Sequence, residues 1–408
     1  MSSENTFVIV GAGLAGAKAA EILRAEGFAG RVHLVGAEAE RPYERPPLSK
    51  DYLTGAADRE SIYVHEAGWH DTHAIELYPG VRAERFDPTA HEVELDTGER
   101  VGYQKLLLTT GSSARRLPVP GAALDGVHYL RTAADSDRLR TALSGGSRQV
   151  VVVGAGWIGL EAAAAARHHG NAVTVVEPQP TPLHQVLGPE MGGVFARLHR
   201  EHGVDLRLQT TIHEIRGMGG HVDSVVTDHG DELPADVVLI GVGAAPNTEL
   251  ADTAGLTTGN GIVVDAALRT SARDVYAAGD VAAAFHPRYG RHVRVEHWAN
   301  ALHGGPAAAR SMLGQQVNYD RLPYFFTDQY DLGMEYTGLG SADATVICRG
   351  NPADGAFIAF WLTDGRVEAG MNVNTWDVTD AIQALIRSTK PVDTDLLTDP
   401  AVPLEDLL

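Results

Sequence analysis

Unbroken apolar runs alternate along this chain with glycine-rich turns and alanine-rich stretches. Thr6-Phe7-Val8-Ile9-Val10-Gly11 carries aliphatic and β-branched residues without polar alternation, and Val150-Val151-Val152-Val153-Gly154 repeats the texture. A strand with one wet face alternates apolar and polar residues, whereas one covered on both faces by helices does not. Both runs therefore predict central parallel strands, each passing through glycines into an Ala-rich helix. Together they read as a weak internal repeat of one strand–turn–helix unit. The stretch from Val150 to Ala166 is apolar apart from Glu161, but it is short for a membrane span and holds three glycines, so strand, turn and helix account for it better.

Between the copies lie Leu106-Leu107-Leu108-Thr109-Thr110-Gly111 and then Leu117-Pro118-Val119-Pro120-Gly121, where two prolines and a glycine interrupt regular structure and set a boundary near residue 115. The second copy closes at Val237-Val238-Leu239-Ile240-Gly241-Val242-Gly243. After Pro246-Asn247 the chain reaches Asp274-Val275-Tyr276-Ala277-Ala278-Gly279-Asp280, which reads as a return to the first domain. From about Pro323, aromatic and β-branched segments such as Tyr324-Phe325-Phe326, Ala344-Thr345-Val346-Ile347-Cys348 and Ala356-Phe357-Ile358-Ala359-Phe360-Trp361 alternate with turn residues. The expected fold class is α/β. Residues 1–115 with 246–322 form a discontinuous first Rossmann-like domain, 116–245 a second, and 323–408 a smaller, sheet-rich α+β domain.

Composition narrows the function. The 408 residues suffice for two or three domains with their own cores. The 45 Gly against 9 Phe favour close backbone approach over aromatic packing, and so nucleotides over carbohydrate or peptide grooves. A formal charge of −20 argues against nucleic acid or an anionic membrane as the main partner. The single cysteine, Cys348, excludes an intramolecular dithiol and fits a reducing, cytoplasmic setting; it reads as a small core residue. The polar start Met1–Asn5 lacks the features of a signal peptide. The 18 His residues show no paired ligand pattern, so no metal is expected, and His168-His169 reads as surface.

Gly11-Ala12-Gly13-Leu14-Ala15-Gly16 follows a strand and opens a helix, where backbone can approach a pyrophosphate and the helix N-terminus faces its charge; a tight turn without ligand is the plainer alternative. Gly154-Ala155-Gly156-Trp157-Ile158-Gly159 has the same context. Glu177 ends the next strand, where an acid accepts hydrogen bonds from ribose hydroxyls and repels a 2′-phosphate. No Arg or Lys follows in Pro178–Pro182, which favours NADH over NADPH. In the first copy Glu38 is the ribose candidate, with a solvated surface acid as its alternative.

Arg45-Pro46-Pro47-Leu48-Ser49-Lys50, Thr109-Thr110-Gly111, Gly241-Val242-Gly243-Ala244-Ala245-Pro246-Asn247 and Ala277-Ala278-Gly279-Asp280 resemble, in that order, the oxygenase-coupled, FAD-dependent ferredoxin reductase family, which takes in putidaredoxin, rubredoxin and biphenyl dioxygenase ferredoxin reductases. The likeness runs over nearly the whole chain and includes Phe325-Phe326-Thr327-Asp328-Gln329. It implies a glutathione-reductase-type fold with FAD in the first domain, NADH in the second and a third domain that helps shape a docking face. Carried over by position, it puts Gly13, Leu14 and Ala15, between Gly11 and Gly16, on the FAD pyrophosphate, Ala83 against the adenine and Arg131 beside the dinucleotide. Asp280 meets the ribityl chain and Trp298 the pyrimidine end. Glu38, Arg45, Pro47, Lys50, Thr110, Gly111, Gly279, Glu296 and His297 complete the FAD set. Gly154, Gly156, Ile158, Gly159, Glu161, Glu177 and Gly243 form the NAD set. Ala37 stands where the family often has an acid, and Gly304-Gly305-Pro306 is expected to interrupt the helix after Trp298.

Hydride arriving at a flavin leaves negative charge that a nearby cation or helix N-terminus stabilises. Lys50 suits that need, and Glu161, expected at the start of its helix, could pair with it; both are assigned as catalytic. Their plainer readings are a loop lysine and an acid favoured in a first helical turn. Asp280 could merely end a strand. Arg288, Arg291, Arg294 and Arg310 could meet an acidic partner, and Trp376 reads as core more than as a neighbour of the flavin edge.

The resulting expectation is transfer of hydride from NADH to FAD, then of single electrons to a [2Fe–2S] ferredoxin serving a cytochrome P450 or other oxygenase, by a monomer or homodimer without nucleic-acid or membrane partners. Rivals are a rubredoxin reductase, an NADH diaphorase or oxidase, and a redox-sensing flavoprotein of the apoptosis-inducing-factor type.

Overall fold

In the computed structural model, which describes residues 5–341 and 343–408, both apolar runs are central strands of parallel sheets. Thr6–Val10 pairs in parallel with Arg31–Gly36 on one side and Lys105–Leu108 on the other. Ile75–Pro79 and Val275–Ala277 extend the sheet at its two ends. Gln149–Val153 lies likewise between Ala172–Glu177 and Val237–Ile240, with Val204–Leu208 and the short Val127–His128 outside them. Counted from the central strand, both sheets therefore carry the third, second, first and fourth strands of a Rossmann unit in the same spatial order. The fifth strand differs in origin. The first sheet takes it from far downstream, at Val275, and the second from upstream, at Val127.

The chain divides into two units. The first gathers residues up to Glu44 with Arg59–Ser113 and Ala244–Arg321; the second gathers Arg45–Asp58, Ala114–Gly243 and Leu322–Leu408. In the first, Val8, Ile9, Leu34, Leu106 and Leu107 are sealed from solvent, and Tyr276 and Ala277 close the same core. A three-stranded antiparallel sheet (Ala83–Asp87, Glu92–Leu95, Arg100–Gly102) and a four-stranded sheet ending in the hairpin Ala282–His286/Arg291–Val293 flank it.

In the second unit, Val151, Val153, Val176 and Val238 pack against a three-stranded antiparallel sheet through Ile215, Val225 and Leu233. The C-terminal part is a five-stranded antiparallel sheet in the order Tyr324–Gln329, Leu332–Gly338, Arg366–Val373, Phe357–Thr363, Thr345–Arg349. The amphipathic helix Thr379–Ser388 covers it, burying Ile382, Leu385 and Ile386. Among the described residues no helix is long and apolar enough to cross a membrane.

One expected interruption does not occur. Trp298–Met312 is a single helix that runs through Gly304, Gly305 and Pro306. The glycines serve contact rather than breakage: a Cβ on Gly305 would stand 2.0 Å from the carbonyl oxygen of Ala15, so the helix lies directly on the backbone of Leu14–Ala25. Cys348 is not a core residue either. It is half-buried on the edge strand Thr345–Arg349, and burial pushes its thiol up to about 11.

Candidate functional site

In the first unit the two outer glycines of Gly11-Ala12-Gly13-Leu14-Ala15-Gly16 have separate steric reasons. Gly11 adopts φ +118°, and a Cβ there would lie 2.1 Å from the carbonyl oxygen of Thr109. Its N–H continues the sheet to Val35 O at 2.8 Å, and the Thr109 hydroxyl donates to Gly11 O at 2.7 Å. A Cβ on Gly16 would lie 2.1 Å from Gly11 O, so the third glycine lets helix and turn touch. Gly13 differs, because a Cβ there would meet nothing within 4 Å. It is the N-cap of Leu14–Ala25 and gives the first-turn N–H groups no side-chain cap.

The second unit repeats this geometry. Gly154 has φ +103° and would put a Cβ 2.5 Å from Gly241 O; a Cβ on Gly159 would fall 2.1 Å from Gly154 O; Gly156 again has nothing within 4 Å and caps Trp157–His168 without a side-chain bond. Protein contacts demand the outer glycines and leave the middle one free in both copies. Room and uncapped donors at that spot are what a pyrophosphate needs, so the residues present fit a dinucleotide cofactor at each turn. Glu177 accepts from the N–H of Ala155 at 2.7 Å and of Gln179 at 3.0 Å, which fixes its carboxylate beside the second motif with acceptor capacity to spare. Ile158 is 44% exposed. Gly243 has φ +97°, and its carbonyl accepts from Arg115 N–H at 2.9 Å.

Other residues of the FAD set fall in both units. In the first, Glu38 accepts from the Tyr43 hydroxyl, and Ala83 is packed on the core. Thr110 and Gly111 are tied to Asn247, whose amide donates to Thr110 O at 2.8 Å and whose N–H donates to Gly111 O at 2.9 Å. Gly279 has φ +76° and faces Ala15 Cβ. Asp280 accepts from the Ser112 hydroxyl at 3.0 Å, and Arg294 donates to its carbonyl at 3.2 Å. Glu296 pairs with Arg294, His297 is the N-cap of Trp298–Met312 with no side-chain cap hydrogen bond, and the Trp298 indole donates to Glu44 Oε2 at 3.2 Å. Burial raises the Glu44 carboxyl, with the indole N–H and Lys18 pulling the other way. Arg45, Pro47, Lys50 and Arg131 belong to the second unit, where Arg45 donates to the carbonyl of Arg131.

Lys50 and Glu161 come together in that unit. Lys50 Nζ stands 2.8 Å from Glu161 Oε1, with the side chains 13% and 2% exposed. Glu161 lies past the first turn of Trp157–His168, which contains no acid, so interaction with the helix terminus does not account for it. Instead three donors converge: Lys50 and the Thr327 hydroxyl, at 2.6 Å, on Oε1, and the Ser49 hydroxyl on Oε2. Asp328, next along the strand from Thr327, is raised by burial, with Glu161 and Asp51 adding and Lys50 opposing. Phe326 lies under Lys50 at 5.5 Å, and Phe325 packs on Trp157 with ring centroids 4.4 Å apart. Ser49 and Thr327 were not singled out from sequence, although each sits in a segment that carried the resemblance.

Three peripheral expectations change. Trp376 is not core: it is 54% exposed, its ring lying against Gly333. Of the basic candidates, Arg294 is 10% exposed and bound to Asn260, Asp280 and Glu296, while Arg310, 42% exposed, pairs with Glu26 at 2.6 Å. His168 is exposed, but His169 is half-buried and its Nε2 meets the Leu53 carbonyl at 2.9 Å.

Residues 5–305 match the family described as pyridine nucleotide-disulphide oxidoreductase, and residues 324–408 match a reductase C-terminal domain. The chain belongs to the pyridine nucleotide-disulphide oxidoreductase family. As a member it is an FAD-dependent oxidoreductase that uses NAD(H). It is 43% identical, over all of both chains, to the ferredoxin–NAD(+) reductase component of an anthranilate 1,2-dioxygenase system from Burkholderia cepacia. It is 39% identical to a rubredoxin–NAD(+) reductase from Pseudomonas putida, over 82% of this chain and 86% of that one. A crystal structure of a covalent putidaredoxin reductase–putidaredoxin complex superposes with a TM-score of 0.95 at 35% identity, covering 99% of this chain and 98% of that chain. With one cysteine, this family member has no dithiol of its own to carry electrons onward from its flavin.

Proposed function

We propose that this protein takes hydride from NADH and passes electrons singly to a [2Fe–2S] ferredoxin that feeds an oxygenase. The observation that carries this reading is the end-to-end likeness to a ferredoxin–NAD(+) reductase in a chain with two dinucleotide turns and no cysteine pair. Residues 1–115 and 246–322 would hold FAD, 116–245 NADH, and 323–408 would complete the docking face. Bound FAD links the two-electron nicotinamide to a one-electron acceptor. The chain's part is to seat the pyrophosphates on Gly13 and Gly156, to read the NADH ribose with Glu177, and to anchor Asp280 through Ser112. The Lys50–Glu161 pair serves hydride transfer: the ammonium supplies positive charge where negative charge develops, and the carboxylate keeps it in place. A cytoplasmic location is part of the proposal, supported by the lone cysteine.

The test is stopped-flow reduction of the yellow protein by NADH and by NADPH, followed by cytochrome c reduction with and without a [2Fe–2S] ferredoxin. Rapid NADH-selective bleaching with ferredoxin-dependent cytochrome reduction is the expected result. Reduction that no ferredoxin accelerates would shift the assignment to a diaphorase, and rapid reoxidation by air to an oxidase.

A further inference from the structure

Behind Glu161 runs a line of buried polar side chains that the hydride reaction does not itself require. Thr327, Gln329 and His199 are each 1% exposed or less. The Thr327 hydroxyl lies 2.6 Å from Glu161 Oε1, Gln329 Nε2 lies 3.2 Å from Thr327 Oγ1, and His199 Nε2 lies 2.8 Å from Gln329 Oε1. Beyond, the Tyr330 hydroxyl lies 3.4 Å from His199 Nδ1, and the Tyr330 ring stacks on the His202 imidazole at 3.7 Å. His199 is on the helix His184–Glu201, whereas Thr327 and Gln329 share one face of the strand Tyr324–Gln329.

The carboxylate dictates the direction of every bond in this line. Paired with Lys50, Glu161 can only accept, so Thr327 must spend its one proton on it. The Thr327 oxygen must then accept from Gln329, which turns the Gln329 amide NH2 toward the threonine and its carbonyl toward His199. His199 must therefore donate from Nε2 and leave Nδ1 as the acceptor for Tyr330. A reversed member at any point would leave two donors or two acceptors face to face in a dry interior, which costs more than the bond is worth.

We propose that Thr327, Gln329 and His199 are positioning residues, a one-way hydrogen-bond relay that holds the Glu161 carboxylate in the orientation that places Lys50 for hydride transfer. The inference rests on the reading that the Lys50–Glu161 pair serves that transfer. Burial supports the required protonation state, since it lowers His199 to about 4 and keeps the imidazole neutral.

The test uses the FAD-loaded full chain, with flavin absorbance and thermal melting as checks on folding. Losing one net bond of the relay should slow single-turnover reduction by NADH about tenfold, with the NADH dissociation constant unchanged, in Gln329→Leu and in His199→Leu. His199→Gln, whose amide can donate from the place of Nε2, should recover a near wild-type rate. In Gln329→Glu the new carboxyl can donate to Thr327 only when protonated, so the rate should fall as pH rises through its titration, a step absent from the wild type. Long-range proton–nitrogen NMR on histidine-labelled protein, assigned by the signal missing in His199→Gln, should show His199 protonated at Nε2. An Nδ1-protonated His199 would overturn the relay, as would wild-type rates in both leucine variants while Glu161→Gln and Lys50→Met are slow. Wild-type rates in Glu161→Gln and Lys50→Met would instead remove the underlying reading, and the positioning role with it.

Discussion

At the scale of single residues, the two glycine turns separate demands of the fold from demands of a ligand. Gly16→Ala drives a methyl into Gly11 O, so it should cost about 1–3 kcal/mol of stability with or without FAD, read by urea denaturation. Gly13→Ala adds its methyl to open space; the apoprotein should melt near the wild-type temperature while FAD occupancy after purification falls sharply. Equal damage from both substitutions would mean that Gly13 has no ligand to accommodate. Histidine protonation gives a second residue-scale prediction. Burial lowers His199 from 6.5 to about 4, so the unfolded chain binds a proton there that the native protein refuses. Stability should therefore decline as pH falls from about 6.5 to about 4, by roughly 3 kcal/mol for a shift of this size. His199→Gln should flatten that part of the stability–pH curve.

Elements meet here through positions that admit no side chain. The helix Trp298–Met312 rests on Leu14–Ala25 because Gly305 has no Cβ to strike Ala15 O. Gly305→Ala should push the helices apart, lowering the melting temperature and, because Ala15 belongs to the proposed pyrophosphate turn, weakening FAD retention. Fluorescence titration of FAD into the variant measures the second effect. The sequence foretold the helix but misjudged its continuity: glycines and a proline read as punctuation under propensity rules, yet packing against a partner backbone can require the same residues. Lys50 and Glu161 were legible as candidates. Ser49 and Thr327 were not, since a hydroxyl that serves a carboxylate has no periodicity, charge or spacing to betray it.

For the whole molecule, two like units proposed to hold different dinucleotides should respond separately to ligands. Hydrogen exchange on the FAD-loaded protein with added NAD+ should slow at residues 154–168 and around Glu177 and leave 11–25 unchanged, because a ligand protects the segments it binds. Slowing at both turns alike would contradict one dinucleotide per unit. The sequence by itself determined what short-range chemistry dictates: the apolar central strands, the glycine turns after them, the helices those turns open, and hence the α/β class and the two proposed dinucleotide sites. Tertiary structure alone decided which distant segments complete each unit. Val275–Ala277 joins a sheet begun at Thr6, and Thr327 reaches Glu161 across 166 residues of chain. Local patterns record only whether a residue will be buried and in what backbone shape; the partner it meets there is set by how whole elements pack, and no window of sequence contains both ends of that contact.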